Sequence, residues 1–482
     1  MPQRRIQVQR PVAERAVAQS TELQARFAAI RAEAGVPEAF PREVDAEAER
    51  VSSSPDLPDR DETAVAFLTI DPPGSMDLDQ ALHIERLGDG HRVRYAIADV
   101  PAFVRPGGVL DAETRRRGQT IYAPDQRTPL HPPVMSEGAA SLLPGQVRSA
   151  FVWDLQLDGE GEVVETALYR ARVRSTDRLD YVGVQKALDA GGADERLELL
   201  KEVGLRRLEL ERRRGGASLP MPEQEVTEDE SGHYRLHFRP PLDVEDWNAQ
   251  VSLMTGMAAA QLMIKAGVGI LRTMPAPDAD AVGRFRHASR ALGVEWAKGT
   301  PYGEFLRTLD RTNPKHLALI HEATALFRGA GYTPFDGEVP AEPEHAAVAA
   351  PYAHVTAPLR RLVDRFGLAV CEAVASGRDV PGWAREALPS LPEVMAASDK
   401  VASAVERGCA DAVEAAALED QVGQEFDAMV VDQREADRAV VQVQDPAVLA
   451  NATGAHELGT RVRVRLTEAT VATSTVRFAI VG

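Results

Sequence analysis

Between Thr69 and Gln80 the chain reads TIDPPGSMDLDQ, an apolar run that halts at Asp71 and is followed closely by Asp77 and Asp79. The run 64–70 is rich in strand formers, whereas Pro72, Pro73 and Gly74 cannot continue a ladder. Proline lacks the N–H, and glycine takes dihedrals closed to other residues. Such a pattern commits the chain to a strand, a tight loop and a return. If 76–85 is extended, Asp77 and Asp79 fall on one side, because side chains alternate along a strand. The loop then folds Asp71 back toward them. Three carboxylates so placed repel one another unless a cation neutralises them, and hard oxygen donors suit Mg2+ or Mn2+. The same spacing also suits a solvated acidic turn. Asp77-Leu78-Asp79 is, besides, the Asp-x-Asp of metal-dependent sugar-nucleotide transferases, a short pattern that carries little weight alone.

The rest of the sequence narrows the class. A chain of 482 residues has room for about two to four domains. Its 73 acidic against 55 basic residues give a net charge of −18, which argues against a protein that coats nucleic acid and leaves room for a local basic channel. Two cysteines, Cys371 and Cys409, make no disulfide framework, so a reducing, cytoplasmic setting is expected. The most apolar window, 251–274, is broken by Lys265 and Arg272 and reads as a buried helix, with no membrane partner.

Helical periodicity covers 11–33 and 42–51, behind a basic tip of Arg4, Arg5 and Arg10; a helix-turn-helix-like cap is one reading of this 1–60 segment. From 63 onward the pattern mixes. Runs 82–87 and 91–98 alternate around Gly88-Asp89-Gly90, and 151–157 and 163–174 do so around Gly159-Glu160-Gly161. Helices are predicted over 184–190, 194–214, 244–266, 278–292, 302–309, 314–327, 359–376 and 392–418. Arg206, Arg207, Arg212, Arg213 and Arg214 interleave with Glu209 and Glu211 and read as a solvated, salt-bridged face. After 421, short alternating runs at 426–431, 439–443, 462–466 and 475–480 predict a small β-barrel of the OB type, with few aromatics for stacking bases. Boundaries fall at 1–60, 61–418 and 419–482.

A second constellation lies far downstream, where 351–365 reads PYAHVTAPLRRLVDR. Pro358 fits the first turn of a helix, which places Arg360 and Arg361 in its opening turn, beside N–H groups and a dipole that favour anions. An arginine fork there matches a phosphate; a surface pair bonded to Asp364 is the plainer alternative. Taken together, the two blocks resemble the signatures of the ribonuclease II family (RNB domain). GQTIYAPDQRTPLHPP with Tyr122, LLPGQVR, RLDYVGV with Tyr181 and ASAVERGCADA with Glu406 are similar to further family segments, in the family's order.

The resemblance implies an α+β catalytic domain, a mixed sheet surrounded by helices with a central RNA channel, followed by an S1-like barrel. It implies a Mg2+-dependent, hydrolytic 3′→5′ exoribonuclease that releases nucleoside 5′-monophosphates from single-stranded 3′ ends and works as a monomer. Asp71, Asp77 and Asp79 would hold the metal, with Asp79 least dispensable. Arg360, or Arg361, would contact the scissile phosphate. Tyr122 and Tyr181 would pack against terminal bases, and Glu406 would clamp the 3′ nucleotide. Two departures stand out. The family's acidic block ends Asp-Asp, whereas Gln80 follows Asp79 here; an amide can lend its oxygen to the metal but no charge. This lowers the expected metal affinity, and in the extreme leaves a catalytically weak RNA-binding protein. About 60 residues precede the block, patterned as helix, where the family carries two cold-shock barrels, so a more open entrance is expected.

Overall fold

The computed structural model describes residues 8–9, 14–219, 223–228, 234–239, 241–310, 313–435, 437–443, 445, 447–454 and 456–481; the basic tip at Arg4, Arg5 and Arg10 lies outside them. Strands Phe67–Asp71, Gln80–Leu87, Gly90–Ala98, Val147–Leu157 and Val163–Asp180 form a closed barrel in that order. Neighbours run antiparallel except at the seam, where Phe67–Asp71 lies parallel to Val163–Asp180 and Asp71 pairs with Asp180. The expected mixed sheet is therefore present, and it closes on itself. The first hairpin turns tightly, with Leu87 opposite Gly90 and Gly88 at φ +60°, a backbone that glycine adopts without strain.

Alternation splits each strand between two apolar clusters. Leu82, Ile84, Tyr95, Ile97, Phe151 and Trp153 share one cluster with residues of helices Glu195–Arg214, Asp243–Ala266 and Leu362–Ala375. Ala81, Ala96, Ala98, Ala150 and Val152 share another with Val44, Ala48 and Val51 of helix Arg42–Ser53. Each strand thus has apolar residues on both of its faces, while polar positions such as His83, Arg92 and Arg94 stay partly exposed. Strands Val268–Thr273 and Gly331–Asp336 pair antiparallel beside them.

The second closed barrel has the order Glu425–Glu435, Arg438–Val443, Val448–Thr453, Thr475–Ile480, Arg461–Thr470. In its Arg461–Thr470 strand, Val462, Val464 and Leu466 are buried while the residues between them are exposed. The long helix Leu391–Leu418 joins the two barrels, and helix Glu14–Glu33 packs along it. No helix among the described residues is long and apolar enough to cross a membrane.

Three local expectations are corrected. The return strand starts at Gln80 rather than near 76, since Leu78 is drawn into the core and its N–H and C=O bond Ser141 and Leu142 instead of a ladder. The downstream helix starts at Leu362, so Pro358, Arg360 and Arg361 lie in the loop ahead of it. Arg207 is buried, not solvated, and donates to the Gly161 carbonyl at 2.9 Å.

Candidate active site

The barrel seam sets Asp71. Its strand ends there, and Pro72 to Ser75 turn the chain sharply with Gly74 at φ +81°. Leu78 is then pinned, its N–H to Ser141 Oγ at 2.9 Å and its side chain in the core, which fixes the aspartates on either side of it. Asp79 is 5% exposed. Its Oδ1 accepts from the Leu359 N–H at 2.7 Å, and its Oδ2 lies 3.6 Å from Arg360 Nε. The loop at 356–361 is thereby fastened to the acidic segment across the width of the sequence.

Burial raises the Asp79 pKa well above the carboxylate range, with Arg360 and the Leu359 N–H pulling it back and Asp77 and Asp364 adding to the rise. Asp71 is pushed up to about 6, first by burial and then by Asp77, while Arg360 opposes. Asp77 is drawn elsewhere: its Oδ1 pairs with Arg127 Nη1, and Arg127 Nη2 reaches Glu137 Oε1 at 2.9 Å.

The two arginines divide. Arg361 is committed to Asp364, Nε at 2.6 Å and Nη2 at 2.8 Å, while Asp364 Oδ1 also takes the Ala357 N–H at 2.7 Å. That group holds the loop in shape. Arg360 keeps a side chain 38% exposed, and among the described residues its ion pair is the longer contact to Asp79. Gln80 is likewise spent internally: its Nε2 donates to the Thr356 carbonyl at 2.7 Å, and its Oε1 accepts from the buried Tyr95 hydroxyl at 2.5 Å.

Tyr122 sits on a two-residue strand, Ile121–Tyr122, paired with Arg127–Thr128, so that Tyr122 faces Arg127. Its ring is 49% exposed, yet loss of water around the hydroxyl pushes its pKa up to about 12, in the fields of Arg360, Asp77, Asp79 and Arg127. Tyr181 opens helix Tyr181–Asp189 directly after Asp180, the partner of Asp71, and its hydroxyl accepts from Asn248 Nδ2 at 3.0 Å. Glu406 is half-buried on the long helix, two turns beyond Asp399. Asp399 accepts from Gln119 Nε2 at 2.9 Å, and the Gln119 backbone bridges Arg361.

Thus Asp71, Asp77, Asp79, Arg360 and Tyr122 act on one another, with Tyr181 beside the seam. No group of three or more His, Cys, Asp or Glu side chains among the described residues is set to hold a metal. The donor chemistry nevertheless suits a hard cation: Asp71 and Asp79 are carboxylates whose pKa values are raised first by burial and further by Asp77, so a bound cation would favour their ionised forms. The Gln80 amide is bonded at both ends, to the Thr356 carbonyl and the Tyr95 hydroxyl. Sequence reasoning missed Arg127, Tyr95 and Thr356; of these, only Arg127 left a trace, five residues past Tyr122 in the same proline-flanked hairpin.

The RNB domain family model matches residues 59–370, and the RNase II-type exonuclease C-terminal S1 domain model matches 424–481. The chain belongs to the RNB family. This RNB protein is 30% identical to Ribonuclease R of Escherichia coli (strain K12) over 350 residues, 69% of this chain and 41% of that protein. It is 28% identical to the probable exosome complex exonuclease RRP44 of Caenorhabditis elegans over 327 residues, 64% and 34% of the two chains. The match therefore spans well under half the length of either relative. Its fold is similar to the apo form of Mycoplasma genitalium RNase R, with a TM-score of 0.85 at 18% identity, covering 95% of this chain and 78% of that one. That enzyme in complex with ribose methylated single-stranded RNA gives a TM-score of 0.84 at 17% identity, with the same coverage.

Proposed function

We propose that this RNB protein is a hydrolytic 3′→5′ exoribonuclease that releases nucleoside 5′-monophosphates from RNA with a single-stranded 3′ end. The observation that carries the reading is the junction of Asp79 with the Leu359–Arg360 loop. A buried carboxylate and a partly exposed guanidinium meet there, held by a 2.7 Å backbone bond. Phosphodiester hydrolysis needs an oriented water and a cation against the charge that develops on phosphorus. Arg360 has the free donors for the phosphate, and Arg361, locked to Asp364, fixes the loop that presents it. Asp71 and Asp79, with Asp77 shared with Arg127, would hold Mg2+, or Mn2+ in its stead, which when bound would supply a water of lowered pKa and neutralise phosphate charge.

The exposed Tyr122 ring offers a stacking face that accepts any base. Tyr181 would support the adjacent base, its hydroxyl fixed by Asn248, and Glu406 would reach the terminal ribose. In this reading the protein acts as a cytoplasmic monomer, which light scattering on purified protein tests. The decisive test incubates 3′-tailed RNA with wild type, wild type plus EDTA, and Asp79→Asn, and identifies products by chromatography. Nucleoside 5′-monophosphates from wild type alone are expected. Cyclic or 3′-phosphate products, or undiminished turnover by Asp79→Asn, would sink the reading.

A further inference from the structure

Helix Glu14–Glu33 touches three separate parts of the molecule. Ile30 packs against the long helix where Gly408 leaves no side chain: a Cβ built there would lie 3.0 Å from Ile30. Arg26 Nε donates to Ser474 Oγ at 2.9 Å on the C-terminal barrel. Its last turn reaches the Tyr122 hairpin. Arg31 Nη1 pairs with Asp125 Oδ1 at 2.6 Å, both side chains mostly buried. With the Gln126 amide turned so that both of its ends are satisfied, its oxygen accepts from Arg31 Nε and Nη2, each at 3.1 Å. Asp125 and Gln126 lie in the four-residue connection between Tyr122 and Arg127. Three guanidinium nitrogens on two adjacent residues fix direction as well as position, which a single ammonium could not do.

The hairpin is also held from beneath. Ile121 is 5% exposed and shares an apolar cluster with Phe27 and Ile30 of the helix. Tyr122, the next residue along the strand, points the opposite way, toward the acidic segment. Arg127, across from it, bonds Asp77.

We propose that Arg31 is a positioning residue: through Asp125 and Gln126 it holds the 121–128 hairpin so that Tyr122 and Arg127 stand over the aspartates. The N-terminal helix is then part of the architecture that shapes the site. This rests on the reading above, in which Tyr122 stacks on a terminal base.

The test uses full-length protein in the Asp79→Asn background, which binds without cutting, and a short RNA carrying 2-aminopurine at its 3′ end, whose fluorescence is quenched by stacking. Tyr122→Ala should abolish the quench. Arg31→Ala should remove most of it and weaken binding by about tenfold or more, since small misplacements cost that much in a positioned site. The double variant should lose no more than the worse single one, because both act through one contact. Exchanging the partners, Arg31→Asp with Asp125→Arg, should restore part of the quench. Arg26→Ala, which loosens the same helix from the barrel, should leave quench and affinity within about twofold, an ordinary margin for a distant site. If Arg31→Ala fails to fold, Asp125→Asn carries the same expectation. An intact quench in Arg31→Ala or Asp125→Asn, alongside its loss in Tyr122→Ala, overturns the positioning role. An intact quench in Tyr122→Ala overturns the stacking assignment beneath it.

Discussion

Asp71 and Asp79 are held at a cost to the fold. A carboxylate whose folded pKa lies near 6, against 3.8 when unperturbed, binds its proton more tightly in the native state. Its contribution to stability is present below about pH 4 and is lost as pH rises through about 6. In EDTA, the melting temperature should therefore fall between pH 4.5 and 6.5, with a slope that Asp71→Asn flattens; the contribution at stake is roughly 2–3 kcal/mol. Activity should run the other way, declining as acid protonates Asp71 near pH 6. Calorimetry and a pH–rate profile check the pair, and parallel trends would refute it. Gln80 makes a different prediction. Its amide donates to Thr356 while accepting from Tyr95, and a carboxylate cannot donate. Gln80→Glu should destabilise the protein by about 1–3 kcal/mol by opposing a carbonyl with a carboxylate. It should lower kcat without tightening Mn2+ binding, as read by electron paramagnetic resonance. Tighter Mn2+ binding would return Gln80 to the metal's own ligand shell.

Helix Asp243–Ala266 supports the arginine loop through two small residues. Ser252 Oγ bonds Thr356 Oγ1 at 2.8 Å, and a Cβ at Gly256 would sit 2.1 Å from the Tyr352 ring and 2.6 Å from the Ala353 carbonyl. Gly256→Ala should cost about 1–3 kcal/mol by overpacking, and should lower kcat more than it raises KM by shifting the loop ahead of Arg360. Thermal melts and steady-state kinetics would show it; unchanged kcat would mean that the loop is positioned from the Asp79 side alone. Much at this scale was legible from residues. The Gln80–Leu87 hairpin follows from alternation around Gly88-Asp89, and helix Asp243–Ala266 from a long apolar window broken by too many charges to span a membrane. The start of helix Leu362–Ala375 was not, because Pro358 imitates a first-turn proline. The N–H groups that would open a helix there, Ala357 and Leu359, are instead taken by Asp364 and Asp79. Strand Gly331–Asp336 was hidden by Pro334 at its centre, and Val268–Thr273 by following a helix after Gly267 alone. Arg127's attachment to Asp77 depends on a hairpin meeting a loop 50 residues away, which no local pattern encodes.

Across the whole molecule, the C-terminal barrel is bound into the rest by two apolar clusters. Val430, Val441 and Val471 share one with Leu23, Phe27 and Val405, and Met429, Val431 and Val440 share another with Phe285 and Leu319. Such an interface resembles a domain core more than a linker contact. A chain cut before 419 should therefore aggregate, and the full chain should melt in a single cooperative calorimetric transition; two resolved transitions would show an independent barrel. The bonds that complete the cleft span far more of the sequence than either barrel does. Asp79 meets Leu359 across 280 positions, and Gln80 meets Thr356 across 276. During translation, the acidic half leaves the ribosome long before its arginine half exists. Under the proposed activity, the nascent chain would thus stay harmless to its own message until the 356–361 loop has emerged.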